Sequence, residues 1–438
     1  RQTDLQSAPL GHSGIRPWNP IIPTPHPRRH PCGELVHPHP ADSAELKLKW
    51  ISKDGYLWKL QSSQEAAVMK LQDAVKPFVS TIVGRGLLES QAQALGIFVA
   101  CALTLARSIL TDLAVEIKKQ GYATTTKAAL KRLDRWINNP RIQVGPAMKP
   151  VIERWMKKRK KKLLVSFDWV NIRGYKTLVA AANIKGRAVW LLWKSVPLSG
   201  LNLNMSRIEE EVLFELKQML PKGFRTIILA DRGFHKSRLF AYCQTLKLDY
   251  VIRIKPQYEL HARGFKGSLD TLPVKPGARH FWRQVVCGKR PKITQNVVVF
   301  YKKNLPQKRD EPWFLATSLQ GRPAQLVKLY GRRMGIEESF RDKKNVNNGW
   351  GLRHMRLQSA RALDHLLLIL AIAYLILCGL GLLALRLRQP REWCGNNRPG
   401  ECGVFTIARR MLHDLEVAVE QIVDEIASAS TNLAPGWG

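Results

Sequence analysis

The sequence predicts an α/β protein whose sheet opens with three antiparallel strands, set behind an all-helical N-terminal module. Three observations predict it. Apolar residues recur at three-and-four spacing from about residue 62 to residue 150. After the basic run 157–162 the apolar period falls to two over three successive segments. From residue 206 to residue 254, helical and strand patterns then alternate.

Residues 1–50 stand outside this scheme. Nine prolines and five histidines fall in the first forty positions, with almost no periodic apolar residue, so the stretch is expected to be a disordered Pro/His-rich tail. Residues 51–155 form the expected helical module. Ser62-Ser63-Gln64-Glu65 opens a helix that Pro77 is expected to close. Residues 87–119 carry an apolar stripe through Leu95, Val99, Leu103 and Leu110. Thr124-Thr125-Thr126 caps a helix with a basic face (Lys127, Lys131, Arg132, Arg135) and an apolar face (Leu130, Leu133, Trp136, Ile137), stopped by Asn139-Pro140. Such a basic helix suits a DNA groove, and suits a solvated surface nearly as well.

Strands are expected at 163–170, 176–184 and 187–196, joined at Gly174 and Gly186. Ser206-Arg207-Ile208-Glu209 has the form of a capping box for a helix running to about Leu220. A strand at 224–230, a helix at 236–247 and a strand at 250–254 follow. Three antiparallel strands, then helix, strand, helix, strand, is the ribonuclease H-like order. The catalytic domain so defined spans 156–390, with a β-rich insertion at about 256–319 containing strands at 280–286, 296–301 and 314–317. One helix is expected from about Pro323 through Lys344. Residues 366–385 carry no charge over twenty positions, long enough for a membrane span. Asp364 and His365 just before the run, and Gly379 and Gly381 within it, favour a helix buried in the domain instead. Residues 391–438 hold a loop and one amphipathic helix at 405–426, a candidate dimer contact.

Composition narrows the partners. Lysine and arginine number 70 against 34 acidic residues, a net charge of +36, which suits a polyanion, DNA being the commonest. The seven scattered cysteines include no Cys-x-x-Cys pair, so neither a zinc site nor a disulfide framework is indicated, which fits a reducing cytoplasm.

Chemistry concentrates in three places. Asp168 lies inside the apolar segment Leu163-Leu164-Val165-Ser166-Phe167-Asp168, where a carboxylate is costly unless paired or bound to a cation. Asp231 follows the apolar run 226–230 at a strand's carboxyl end, where open α/β sheets place ligands. Tyr330, Arg333, Glu337, Phe340 and Lys344 step by three or four and would share one face of a single helix. Arg333–Glu337 and Glu337–Arg341 could be simple surface ion pairs. After two strand carboxylates, however, the same set is a layout for a scissile phosphate, with carboxylates for metal and cations for phosphate.

The spacing Tyr330, two residues, Arg333, three, Glu337, six, Lys344 resembles the signature of the insertion-sequence-four family of cut-and-paste DDE transposases. Leu229-Ala230-Asp231-Arg232-Gly233-Phe234 resembles that family's second-aspartate motif. The likeness in order covers about residues 85–385; Met334 departs from it, standing where the family often has an aromatic. The resemblance implies a catalytic and metal-binding triad of Asp168, Asp231 and Glu337. It also implies DNA contacts from Tyr330, Arg333 and Lys344, with Arg332 and Arg341 as phosphate contacts by position. Trp313, at a strand start, would capture a flipped base or else be an ordinary strand tryptophan. Two Mg²⁺ ions, replaceable by Mn²⁺, would serve the all-oxygen donor set. Double-stranded DNA, as terminal inverted repeats and target, would be the partner of a synaptic homodimer in the bacterial cytoplasm at the nucleoid, with no membrane. A nuclease or resolvase that cuts without rejoining, and a catalytically inactive transposase-derived DNA binder, are the rival expectations.

Overall fold

The computed structural model describes residues 71–105, 108–157, 162–199, 205–262, 264–288, 292–303, 311–345, 349–394, 402–412, 421–422 and 424–426. The tail expected at 1–50 and the helix start at Ser62 lie outside the described residues. Residues 67–438 group as one compact unit.

Five helices come first: α1 (Leu71–Val83), α2 (Glu89–Leu105), α3 (Leu110–Lys119), α4 (Thr126–Ile137) and α5 (Val144–Met156). Pro77 does not close α1 but lies within it. A proline interrupts one backbone hydrogen bond, yet Val75, Val79 and Val83 are buried on either side of it, and that packed stripe carries the helix through. The stripe expected over 87–119 is divided between α2 and α3. Thr125 caps α4, its hydroxyl accepting from the Ala128 amide at 3.1 Å. Leu133, Trp136 and Ile137 face inward while Lys127, Lys131, Arg132 and Arg135 remain exposed.

The sheet has ten strands: β1 (Lys162–Ile172), β2 (Tyr175–Ile184), β3 (Arg187–Pro197), β4 (Arg225–Ala230), β5 (Asp249–Arg253), β6 (Glu259–Ala262), β7 (Phe265–Ser268), β8 (Arg279–Cys287), β9 (Ile293–Phe300) and β10 (Trp313–Thr317). Their order is β3-β2-β1-β4-β5-β10-β9-β8-β6-β7. β4 pairs parallel with β1 and with β5, and the remaining pairs are antiparallel. Helix α6 (Met205–Met219) joins β3 to β4, and α7 (Ser237–Thr245) joins β4 to β5. The capping box expected at Ser206 is not formed, because α6 already begins at Met205. Glu209 instead points inward, buried, and accepts from Lys236 Nζ at 2.8 Å and from the Trp169 indole at 3.1 Å.

Two cores flank the sheet. The larger holds α10 (Ala360–Leu387), whose residues 366–384 are all buried. This helix is long and apolar enough to cross a membrane, and its most apolar window is wholly buried in the fold. His365 at its start fixes it to the helical module, Nδ1 lying 2.6 Å from the Ile137 carbonyl and Nε2 3.0 Å from that of Ile142. Gly379 and Gly381 do not interrupt α10 but let the C-terminal segment close on it: a Cβ there would fall on the Ile422 and Val404 carbonyls. The single helix expected at 405–426 is a shorter α11 (Val404–Arg410), with helical residues again at 421–422 and 424–426. Its apolar side chains Phe405, Ile407, Ile422 and Ile426 are buried within the chain.

The smaller core, Leu164, Ile227, Leu229, Val251, Val298 and Leu315, lies on the opposite face under helix α8 (Pro323–Gly331). The segment 323–344 is therefore two helices. Leu326, Leu329 and Tyr330 of α8 belong to the smaller core, whereas Ile336 and Phe340 of α9 (Met334–Lys344) belong to the larger. Between them the chain passes from one face to the other, with i to i−3 bonds from Arg332, Arg333, Gly335 and Ile336. Gly335 makes the close approach to β3 possible, since a Cβ would sit 2.8 Å from the Arg187 carbonyl.

Candidate active site

The crossing at Arg332–Arg333 is also where the charged residues meet. Asp168 and Asp231 each follow the last pair, Phe167 and Ala230, of the parallel ladder between β1 and β4: Asp231 lies just past the end of β4, and Asp168 lies within β1 opposite Val179 of β2. Alternation along each strand places both on the Leu164, Ile227 and Leu229 face, the face of Tyr330. Arg333, buried at the turn, reaches the Asp168 carboxylate at 3.3 Å and forms an ion pair with Glu337 one helical turn on. Glu337, less buried, is thereby tethered to Asp168 through one guanidinium.

Burial pushes the Asp168 carboxyl up to about 7, and the negative charges of Asp231 and Glu337 push the same way, while Arg333 and a bond from the Trp169 amide oppose them. These opposing influences place Asp231 and Glu337 in the same electrostatic field as Asp168. Lys344 belongs to it too: burial lowers its pKa, Arg353 adds to that, and Asp168 opposes it. Burial raises the Tyr330 phenol, with Arg333 and Arg253 opposing and Asp231 assisting. Asp231 also accepts from the Gly233 amide at 2.8 Å, capping the short turn Arg232–Phe234.

Trp313 opens β10 half-buried, edge-on to Tyr330 with centroids 5.5 Å apart, and the Arg253 guanidinium lies 5.4 Å from its ring centre. The structure thus gathers Asp168, Asp231, Glu337, Arg333, Tyr330, Lys344 and Trp313. It does not put Tyr330 and Phe340 on one helix face: Phe340 packs edge-to-face on Trp190 at 5.9 Å, in the other core. Arg341 is exposed and pairs with Glu338 at 2.9 Å, away from Glu337. Met334 is half-exposed, 3.7 Å from Arg333 Nη2, so an aromatic is not required there for packing.

Residues 202–376 match the family model for a transposase DDE domain. The stretch similar to transposase DDE domains includes Asp231, Trp313, Tyr330, Arg333, Glu337 and Lys344, and begins after Asp168. No curated protein matches the chain.

Asp168, Asp231 and Glu337 would offer a metal ion hard oxygen donors only. Among the described residues no three acidic, histidine or cysteine side chains stand at metal-ligand spacing; Arg333 supplies the positive charge between Asp168 and Glu337 instead. By donor type alone, the three carboxylates suit a divalent cation.

Several participants carried no signal in the sequence. Arg187 Nε donates to Asp342 at 2.6 Å, and the Tyr374 hydroxyl donates to the same carboxylate at 2.7 Å. These bonds fix α9, and with it Glu337 and Lys344, against β3 and α10. Lys343 is fully buried beside them, its Nζ 3.4 Å from the Tyr374 ring centre and 4.6 Å from that of Trp190. Nothing in the run Arg341-Asp342-Lys343-Lys344 distinguishes its two buried residues from surface ones.

Proposed function

We propose that this protein is a cut-and-paste DNA transposase of the insertion-sequence-four type, built on a ribonuclease H-like core with a β-rich insertion. The observation that carries the reading is Asp168 and Asp231 each placed just after the last pair of the parallel β1–β4 ladder, with Arg333 tying Glu337 to Asp168. The strand order β3-β2-β1-β4-β5 supports the core assignment, and β6 to β10 would be the insertion. The match to a transposase DDE domain supports the same class.

In this reading Asp168, Asp231 and Glu337 hold divalent ions, Mg²⁺ with Mn²⁺ as a substitute. When bound, such ions stabilise charge on the attacking and leaving oxygens of a phosphodiester. The chain's own groups position the DNA. Lys344 and Arg333 neutralise phosphates beside the cut, with Arg332 in the turn before α9 and the exposed Arg341 on α9 contributing farther out. Tyr330 is buried between Trp313 and Arg333 and holds both beside the cut. Trp313, open on one side, receives an extruded base. The helical module at 51–155, with the exposed basic face of α4, recognises terminal repeats, and two protomers bring two ends together at the nucleoid of a bacterial cell.

Full-length protein incubated with duplex carrying the element's ends and Mg²⁺ tests the reading. Nicking followed by joining to target DNA is the expected outcome. Nicking without joining would identify a nuclease or resolvase, and binding with neither step a catalytically inactive DNA binder.

A further inference from the structure

We propose that the sheet face bearing Asp168 and Asp231 continues beyond Trp313 as a track for an unpaired DNA strand. The track is built from Phe300 and Phe281 with Arg279 and Arg283. Leu315 and Trp313 alternate onto the smaller-core face of β10, Val298 and Phe300 onto that of β9, and Phe281 and Arg279 onto that of β8. Trp313 is directly paired with Phe300, and Phe300 with Arg279. From β1 to β8 the face runs across five strand spacings, roughly 24 Å at about 4.8 Å each.

Along this row each ring has its own guanidinium. Arg253 lies 5.4 Å from Trp313, Arg279 5.6 Å from Phe300 and Arg283 5.7 Å from Phe281, measured to ring centres. The three rings are half-buried, and Arg279 and Arg283 are exposed. An arginine laid over a ring can merely shield apolar surface. Three such pairs on one sheet face, two along the Trp313–Phe300–Arg279 row and one at Phe281 in the adjoining row, in a chain of net charge +36, have the chemistry that holds unpaired nucleotides: bases stack on rings while cations follow the phosphates. Paired DNA would offer this row its phosphates but no base faces. The ligand class rests on the row alone; only its placement beside a cutting site rests on the transposase reading.

The test is fluorescence anisotropy of full-length protein with a labelled single-stranded oligodeoxynucleotide and with its duplex, in chelator so that no strand is cut. Phe300→Ala is expected to lower single-strand affinity about tenfold and to leave duplex affinity unchanged, whereas Arg279→Gln should lower single-strand affinity more than duplex affinity. Phe300→Trp should restore binding. Arg279→Gln, on an exposed side chain, should also flatten the salt dependence by roughly 0.7 in slope. Unchanged single-strand affinity in both variants, or an equal loss on duplex, overturns the track. If wild-type protein fails to nick end DNA in Mg²⁺ while the Phe300 effect persists, the cutting reading falls and the track stands.

Discussion

Arg333 and Asp168 are 165 positions apart in sequence and 3.3 Å apart in space. The same guanidinium binds Glu337, so one cation joins the middle of β1 to the start of α9. Among the described residues its Nε is buried without a hydrogen-bond partner.

Arg333→Ala removes the charge that Asp168 and Glu337 share. The protein is expected to lose about 2 kcal/mol of stability, read as a lower urea midpoint at unchanged slope. End binding and cleavage should fall together, because a lost phosphate contact affects ground and transition states alike. Full binding with selectively lost cleavage would mean that Arg333 acts only on the reacting charge.

Lys343 gives a stability signature of its own. Burial lowers its pKa to about 7 from the ordinary 10.5. Above about 7 the unfolded chain keeps a proton that the folded chain has released, so stability rises with pH. The window closes near about 8.5, where cysteines of the unfolded chain begin to ionise. Lys343→Met should abolish that rise and add about 1 to 3 kcal/mol at pH 7. Urea midpoints at both ends of the window, in reductant, check it, and an undiminished rise in the variant would assign the effect elsewhere.

Much of this architecture was legible in the sequence because it rests on local pattern. The three antiparallel strands, and β4, α7 and β5 after them, follow from alternation and turn residues; Asp168 stands out as a carboxylate inside an apolar strand and Asp231 as one that follows an apolar strand. What was not legible depends on tertiary contact. The break at Arg332–Arg333 arises because Tyr330 and Phe340 serve opposite cores, and no local residue preference states that. β6 and β7 escaped notice because their short edge hairpin is half-exposed and contains Gly264 and Gly267, so alternation is weak. Pro77 misled because burial of α1 outweighs the helix-breaking tendency of one proline.

Trp313→Ala should spare the first nick and impair whichever later step needs an extruded base, by the roughly 1 to 3 kcal/mol that one stacked base contributes. Its edge contact with Tyr330 makes the control necessary: Trp313→Phe keeps a ring there and should recover part of the loss. Equal defects in nicking and in the later step would make Trp313 a support for Tyr330 alone.

The most direct measurement compares binding and nicking of one end substrate, on one gel system, by Asp168→Asn, Asp231→Asn and Glu337→Gln, in Mg²⁺ and then in Mn²⁺. Each substitution keeps side-chain size and removes a charge that faces the DNA backbone, so binding should persist or tighten. Nicking should vanish in all three, because placing charge on both the attacking and the leaving oxygen requires all the carboxylates. Near wild-type nicking by Asp231→Asn or Glu337→Gln would contradict the account.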